Sequence, residues 1–215
     1  NAVLGFVCGG DAADAADQIL SICEHYPAPA LHTALNFLST HDTERALTVI
    51  ADEPAGDRGR EWQSGRSVTG EAYEEGLILL KMAYAIIFTL PGVPCVYYGD
   101  ESGMQGHRDP FNRGYYLWDS HEDRLRPVIA QLAQLRQSCE AFREGELRVL
   151  RAEGGILHYQ RVGAMETAEI IANRTDHLIV EKLASGKYTE VNPMGFTITV
   201  EEVGHNPNHS YYDYR

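Results

Sequence analysis

The sequence predicts an α/β region with a parallel sheet, followed by a region of antiparallel β-strands. In the first region, short, continuously apolar segments alternate with longer segments of helical periodicity, which is the pattern of repeated βα units. After Gly145 the segments become short, often alternate between apolar and polar residues, and are separated by turn residues, as in antiparallel sheets. We therefore expect two domains, residues 1–145 and 146–215.

The first region opens with a helix and a strand. Residues 11–26 carry apolar side chains at helical spacing, and Asp11 is placed to cap the helix N-terminus. The segment ALNFL, Ala34 to Leu38, is continuously apolar and predicts a short strand buried on both faces, as in parallel sheets. The polar, Gly-rich residues 43–70 predict a long loop with room for a short helix.

A second helix and a second strand follow. Residues 71–90 predict a helix that is apolar all round in its second half and is therefore buried there, and Pro91 and Gly92 end it. Its run from Leu77 to Leu90 is too short to span a bilayer of about 30 Å, so we expect no membrane partner. VPCVYYG, Val93 to Gly99, predicts the second buried strand.

The remaining segments complete both regions. A polar loop, residues 100–119, leads to an amphipathic helix within residues 121–145. Six strand-like segments then predict the antiparallel domain, and residues 204–215 predict a loosely ordered tail. The six segments are ELRVLRA, GILHYQRV, AEIIANR, LIVEKL, KYTEV and FTITVEEV.

Net charge and cysteine spacing narrow the function classes. The net charge of −13 opposes a nucleic-acid partner, because phosphate binding needs clustered Lys and Arg. A sugar, or another neutral or cationic small molecule, fits better.

The four cysteines are far apart and predict buried free thiols in a reducing, cytoplasmic compartment, with disulfides or metal ligation as the alternative. They are Cys8, Cys23, Cys95 and Cys139.

Polar side chains follow both predicted strands of the first region. In a closed parallel barrel, active-site groups lie at the C-terminal ends of the strands and on the loops that follow. Each strand end could instead be a solvated, inert turn. The first end carries Asn36, His41, Asp42 and Arg45, and the second carries Tyr97, Tyr98, Asp100, Glu101, Asp109 and Arg113.

The combination of three stretches is more specific than any one of them. NFLSTHDTER, then PGVPCVYYGDESGM, then DPFNRGYYLW together resemble the α-amylase superfamily of glycoside hydrolases, most closely its neopullulanase and cyclomaltodextrinase-like branch. The resemblance covers residues 1–145. It implies that ALNFLST and VPCVYYG are strands 7 and 8 of a (β/α)8 TIM barrel with flanking helices, and that residues 146–215 are the family's C-terminal antiparallel β-sandwich.

The resemblance also implies roles for four residues. His41 would hydrogen-bond hydroxyls of the sugar at the cleavage site. Asp42 would be the catalytic carboxylate that stabilises the transition state by gripping the 2- and 3-hydroxyls. Asp109 and Arg113 would contact the next sugar on the non-reducing side. Apolar sugar-facing surface could come from Tyr97, Tyr98 and Trp118, although such residues more often belong to the core or the rim.

Two catalytic groups of the family have no counterpart in this sequence. A retaining glycosidase needs a nucleophile and an acid/base about 5–5.5 Å apart, and the family carries them in G-x-R-x-D and G-E stretches after strands 4 and 5. Asp57, Glu61 and Glu71 lie after the presumed strand 7 and cannot take those positions. We therefore expect an inactive piece of a hydrolase of α-1,4 or α-1,6 glucosidic bonds, with a maltooligosaccharide or α-glucan as ligand.

Further expectations follow if the chain is a piece of a barrel. We expect no cofactor and no metal, because the family's calcium sites lie in other parts of the barrel. Open strand edges predict self-association. The alternatives are a non-catalytic carbohydrate-binding or oligomerisation module, and an unrelated barrel piece with a coincidental STHD. The chain starts without Met and in mid-pattern, so an upstream targeting segment stays open.

Overall fold

Helices alternate with two short strands in the first part of the chain, and longer strands follow. The computed structural model describes residues 1–118, 124–203 and 210–214. Its helices are α1 (Ala2–Val7), α2 (Ala12–His25), α3 (Ala28–Thr33), α4 (Ala46–Ala51), α5 (Arg60–Gln63), α6 (Glu71–Thr89), α7 (Arg126–Ser138) and α8 (Glu140–Glu144). Its strands are β1 (Leu35–Phe37), β2 (Val93–Cys95), β3 (Glu146–Glu153), β4 (Ile156–Val162), β5 (Glu166–Asn173), β6 (Ile179–Lys182), β7 (Tyr188–Val191), β8 (Gly195–Glu202) and β9 (Ser210–Tyr214).

The three predicted helices are confirmed as α2, α6 and α7. The Asp11 carboxylate caps α2 by accepting a hydrogen bond of 2.8 Å from the amide of Ala13, which satisfies one of the open donors at the helix end. The second half of α6, residues 82–89, is buried all round, as its apolar sequence predicts. The predicted loop at residues 43–70 contains α4 and α5. No helix in the described ranges is both long enough and apolar enough to cross a membrane.

The first two strands pair in parallel, as predicted, with Leu35 opposite Val93 and Phe37 opposite Cys95. Their predicted burial on both faces is wrong: Leu35 is 57% exposed and Phe37 is 47% exposed. In the described part of the chain this sheet consists of β1 and β2 alone, so no neighbouring strand covers its edges. The turn into β2 requires Gly92, because its φ is +102° and an added Cβ would lie 2.6 Å from the carbonyl oxygen of Ala34.

All six predicted strands of the second region are confirmed, as β3 to β8. Five antiparallel strands form one sheet in the order β3-β4-β5-β8-β9, and β6 and β7 form an antiparallel pair. The predicted tail is wrong for residues 210–214, which form β9 by pairing with β8; the tail's residues 204–209 and 215 lie outside the described residues. The strand forms there because the exposed edge of β8 offers a row of backbone donors and acceptors.

One hydrophobic core joins the helices to the five-stranded sheet. It combines α6 residues such as Leu80 and Ile86 with Tyr159, Ile170 and Ile198 from β4, β5 and β8. The division into domains at residues 145 and 146 stays a prediction. A second, smaller apolar cluster lies between the five-stranded sheet and the β6–β7 pair, and consists of Ile156, Ile171, Ile179, Leu183 and Val191.

All four cysteines are free thiols, as their spacing predicts. Cys139 is buried, and burial raises the pKa of its thiol to about 12. The predicted burial is wrong for Cys8, which is exposed because α1 ends at the preceding residue and the chain turns there. Cys23 and Cys95 are partly exposed.

Candidate functional site

The turn that follows β1 presents two of the predicted site residues to solvent. The chain leaves β1 through the buried Ser39 and exposes His41 and Asp42 before α4 begins. Two hydrogen bonds shape this turn: the Thr40 amide donates to Oγ1 of Thr43 at 2.9 Å, and the Asp42 amide donates to Oγ1 of Thr40 at 3.2 Å. Such hydroxyl–backbone bonds are typical of a chain that turns after leaving a strand.

The loop that follows β2 packs against this turn and holds its backbone. Asn112 is fully buried, and its Nδ2 donates to the carbonyl oxygens of His41 at 2.8 Å and Thr43 at 2.7 Å. The Nε of Arg113 donates to the same His41 carbonyl at 3.0 Å. The two polar loops that the sequence predicts at the strand ends are therefore joined to each other by side chain–backbone hydrogen bonds.

All four predicted site residues lie together. Nη2 of Arg113 lies 3.6 Å from Oδ1 of Asp42, and Nε of Arg113 lies 3.1 Å from Oδ1 of Asp109. Nε2 of His41 lies 3.0 Å from Oδ2 of Asp42. All four side chains are exposed, Asp42 by 71%. We call His41, Asp42, Asp109 and Arg113 the site cluster.

A buried ion pair also joins the loop after β1 to the loop after β2. Arg45 is fully buried, and its Nη1 donates to Oδ1 of Asp100 at 2.9 Å and to the carbonyl oxygen of Tyr98 at 2.8 Å. Its guanidinium carbon lies 4.8 Å from the ring centre of Tyr97 and 4.9 Å from that of Tyr98. Arg45 and Asp100 are thus structural, although their sequence positions also placed them among the candidate polar groups.

Burial dominates the electrostatics of Asp100. It raises the pKa of the Asp100 carboxyl, and hydrogen bonds from Ser39, Tyr84 and Arg45 offset only part of that rise. The hydroxyl of Tyr84 donates to Oδ2 of Asp100 at 2.9 Å. Burial, followed by the negative charge of Asp100, raises the pKa of Tyr84 well above its usual range. Both groups therefore act as hydrogen-bonding partners in a buried polar network.

Three of the remaining candidate residues make hydrogen bonds within the fold. Nδ2 of Asn36 donates to the carbonyl oxygen of Pro91 at 2.7 Å, and Oε2 of Glu101 accepts from the amide of Gly99 at 2.9 Å. The hydroxyl of Tyr98 donates to the carbonyl oxygen of Gly114 at 2.8 Å. In the described part of the chain, no group of three or more His, Cys, Asp or Glu side chains is placed to hold a metal ion.

Sequence reasoning missed Asn112 and Tyr84. Asn112 lies inside the DPFNR stretch, where an amide side chain looks like an ordinary turn residue. Tyr84 lies in the middle of the apolar helix α6. A hydroxyl in an otherwise apolar, buried helix needs a hydrogen-bond partner, and this was the available signal for a polar group packed against α6.

Comparison with known proteins relates the two joined loops to one enzyme family. A family model described as the alpha amylase catalytic domain matches residues 15–146. An amylopullulanase of Thermoanaerobacter thermohydrosulfuricus is 31% identical over 151 residues, which are 70% of this chain and 10% of that protein. A cyclomaltodextrinase of Geobacillus thermopakistaniensis is 31% identical over 169 residues, which are 77% of this chain and 25% of that protein.

Two solved structures share the fold of this chain. The ligand-free cyclic α-maltosyl-(1→6)-maltose hydrolase of Arthrobacter globiformis matches with a TM-score of 0.77 and 29% identity, over 94% of this chain and 42% of that chain. The type III pullulan hydrolase of Thermococcus kodakarensis, at 22% identity, shares the fold with a TM-score of 0.75, over 91% of this chain and 34% of that chain. This chain therefore spans less than half the length of each of these relatives. Because the family model covers more than half of its residues, the chain belongs to the alpha-amylase family of glycoside hydrolases, on the neopullulanase and cyclomaltodextrinase-like branch that its motifs predict.

Proposed function

We propose that this chain is the sugar-holding part of a retaining α-glucan hydrolase and that it does not cleave glucosidic bonds by itself. The whole enzyme would act on α-1,4 or α-1,6 bonds of starch- or maltodextrin-type substrates. This chain would supply the side chains that bind and distort the sugar. The observation that carries the proposal is that Arg113 lies between Asp42 and Asp109, which joins the ends of two parallel strands in one exposed cluster.

The proposed architecture is a piece of a (β/α)8 barrel followed by a β-sandwich. In this arrangement β1 and β2 are strands 7 and 8. Their parallel register and the polar loops at both C-terminal ends support this assignment. Strands β3 to β9 would form the sandwich, because the five-stranded sheet and the β6–β7 pair share an apolar cluster.

The chemistry of the site cluster suits a polyhydroxylated ligand. A carboxylate that accepts hydrogen bonds from two neighbouring hydroxyls makes charge-assisted contacts, which are about twice as strong as neutral ones. Asp42 is the most exposed carboxylate positioned to do this. Arg113 supplies donors for sugar oxygens, and hydrogen bonds to the 2-hydroxyl strengthen as an oxocarbenium-like transition state forms. Asp42 would therefore stabilise the transition state, while His41, Asp109 and Arg113 would hold the substrate.

Cleavage would need two more carboxylates. Retention requires a nucleophile and an acid/base about 5–5.5 Å apart on either side of the scissile bond. The sequence has no G-x-R-x-D stretch, and Glu61 on α5 and Glu71 at the start of α6 follow β1. We propose that the two missing groups belong to the part of the barrel that precedes this chain in longer relatives.

Two assays of the purified 215-residue chain test the proposal. Reducing-sugar release from maltotriose or pullulan should equal that of a buffer blank, because the nucleophile and the acid/base are missing. Saturation-transfer NMR should detect bound maltotriose, and Arg113→Ala should weaken that signal. Turnover that Asp42→Ala abolishes would contradict the inactive assignment, and a maltotriose signal unchanged by Arg113→Ala would contradict the binding site.

Self-association is a second proposed property of the isolated chain. A groove of about 480 Å³ runs beside β1 and is lined by α1, α2, β1 and the end of α6. Leu35, Phe37 and Val93 are exposed along the two short strands. An open strand edge with apolar side chains favours pairing with another chain, so we propose that a second copy occupies this groove.

Sedimentation velocity distinguishes a dimer from a monomer. The wild-type chain should sediment increasingly as a dimer as its concentration rises, and Phe37→Ser should shift it towards the monomer. Tyr188→Ser, which removes an exposed aromatic side chain from β7, is the matched control and should leave the dimer unchanged. A wild-type chain that stays monomeric at every concentration would contradict the proposal.

A further inference from the structure

The segment that follows the site cluster exposes a large aromatic surface. Residues 114–118 come directly after Arg113, and within them Trp118 is 87% exposed and Tyr115 is almost fully exposed. Five residues of chain reach at most about 17 Å, so the Cα atom of Trp118 lies within that distance of the Cα atom of Arg113. Exposed apolar surface next to a polar binding cluster is typical of an interaction site.

Contacts at both ends anchor the segment that carries Trp118. The Trp118 ring packs edge-on against Tyr116, with the ring centres 4.9 Å apart and an angle of 62° between the rings. The hydroxyl of Tyr116 hydrogen-bonds with Oγ of Ser102 at 2.8 Å and accepts from Nη2 of Arg126 at 3.3 Å. At the other end, Tyr98 donates to the carbonyl oxygen of Gly114. The indole is therefore exposed, and the Tyr116 ring that it contacts is itself held by hydrogen bonds.

An exposed indole is suited to one face of a pyranose ring. The face of an aromatic ring carries a partial negative charge. It attracts the weakly positive C–H groups on the apolar face of a sugar. The contact with Tyr116 restricts the indole before binding, which lowers the side-chain entropy that sugar binding would cost. The net charge of −13 also favours a neutral ligand over an anionic one.

We propose that Trp118 is a stacking platform for a glucosyl unit beyond those held by the site cluster, and that it makes the affinity of this chain depend on oligosaccharide length. This inference rests on the proposed function, because it needs an α-glucan held by Asp42 and Arg113. The distance to Arg113 is one that a few consecutive glucosyl units can span. A trisaccharide would be held mainly by the site cluster, and a longer chain would also contact the indole.

Trp118 can report on its own contact. The chain has two tryptophans, and Trp62 is covered by Arg58 and Arg66, whose guanidinium carbons lie 4.3 Å from its ring centre. In Trp62→Phe, all indole emission comes from Trp118. Maltohexaose should then change this emission with a saturable dependence on concentration. An emission spectrum that stays constant while calorimetry shows maltohexaose binding would overturn the proposal.

A comparison of maltotriose and maltohexaose by calorimetry tests the length dependence. The wild-type chain should bind maltohexaose more tightly than maltotriose. Trp118→Ala should weaken maltohexaose binding roughly tenfold, which is the scale of an aromatic contact plus its buried area, and should leave maltotriose binding unchanged. Trp118→Phe should retain part of the tighter binding of maltohexaose relative to maltotriose. Tyr188→Ala removes an exposed aromatic residue from β7 and is the control that should change neither affinity.

The variants separate a failure of the platform from a failure of the proposed function. If Arg113→Ala weakens both sugars and Trp118→Ala weakens neither, the platform is wrong and the sugar site stands. If the wild-type chain binds neither sugar, the proposed function fails and the platform fails with it. If Trp118→Ala alters the sedimentation of the chain but not its sugar affinity, Trp118 covers a protein interface, which overturns the inference.

Discussion

Nη2 of Arg113 lies 3.6 Å from Oδ1 of Asp42, and this contact joins the loop after β2 to the loop after β1. The same guanidinium contacts Asp109 and the carbonyl oxygen of His41. Arg113 thus contacts the other three residues of the site cluster. Its substitution is the first test of whether the site cluster works as a unit.

Arg113→Lys should weaken maltotriose binding although it keeps the positive charge. A lysine ammonium cannot reproduce the planar fork that reaches Asp42, Asp109 and a carbonyl oxygen together. Loss of a hydrogen bond to a charged group costs about 1.5–3 kcal/mol, so calorimetry should show at least a tenfold lower affinity. Arg148→Lys, at an exposed arginine on β3 that pairs with Glu146, is the control. Equal losses in both variants would contradict a specific role for Arg113.

Asn112→Ala should destabilise the chain and loosen the turn at His41 and Asp42. The substitution removes both hydrogen bonds from Nδ2 and leaves the carbonyl oxygens of His41 and Thr43 without this donor. The His41 carbonyl keeps its hydrogen bond from Nε of Arg113, so the Thr43 carbonyl is the group that loses its side-chain donor. An unpaired buried polar group costs about 1–3 kcal/mol, and we expect the free energy of unfolding to fall by about 1–3 kcal/mol in urea titrations. Gln134→Ala, on the exposed face of α7, should change it little. An Asn112→Ala chain as stable as the wild type would contradict this stabilising role of Asn112.

Arg45→Met should be among the most destabilising substitutions in the first region. It would leave Asp100 buried without its cationic partner, and breaking a buried pair costs about 3–5 kcal/mol. The double variant Arg45→Met with Asp100→Leu should recover part of that loss, because no unpaired charge remains. Urea denaturation of the two single variants and the double variant measures the coupling. Strictly additive losses would show that the two side chains do not stabilise each other.

Glu169 should make the stability of the chain depend on acid pH. Burial raises the pKa of Glu169, but hydrogen bonds from His158, the Ala184 amide and Gln160 outweigh burial and hold the pKa below its ordinary value of 4.5. The unfolded chain therefore binds a proton at this residue at higher pH than the folded chain does. The stabilising contribution of Glu169 is complete above about pH 4.5 and is lost as the pH falls through the lower, folded-state pKa.

Glu169→Gln should remove this part of the acid dependence. The free energy of unfolding should fall by roughly 1–3 kcal/mol at neutral pH, because a neutral amide replaces a carboxylate that accepts from His158 at 2.7 Å. The difference between wild type and variant should then shrink as the pH is lowered from 5 to 3, a window set by the lowered pKa. A difference that stays constant across this range would contradict the assignment.

Local sequence patterns predicted much of the fold. The bounds of α2 and α6 follow from helical periodicity, from the Asp11 cap and from the Pro91–Gly92 stop, all of which are signals within a few residues. The six strands β3 to β8 follow from apolar segments separated by turn residues. The motif resemblance placed His41, Asp42, Asp109 and Arg113 in one site, and the structure brings them together.

Features that depend on distant parts of the chain were not predictable in this way. The exposure of Leu35 and Phe37 depends on whether other strands lie beside β1, which an apolar pentapeptide does not reveal. β9 forms because β8 offers it an edge, whereas its own sequence, SYYDY, has no regular alternation. The contact of Tyr84 with Asp100 joins a helix to a loop that packs against it only after folding.

Calorimetric titration of maltotriose into the wild-type chain and into Asp42→Asn tests the central claim most directly. Asp42 is exposed, so the substitution removes one negative charge without disturbing the buried network at Arg45. We predict saturable binding to the wild type and at least a tenfold lower affinity for Asp42→Asn, on the scale of about 1.5–3 kcal/mol for a hydrogen bond to a charged group. Equal affinities for the two proteins, or no binding to the wild type, would contradict the account.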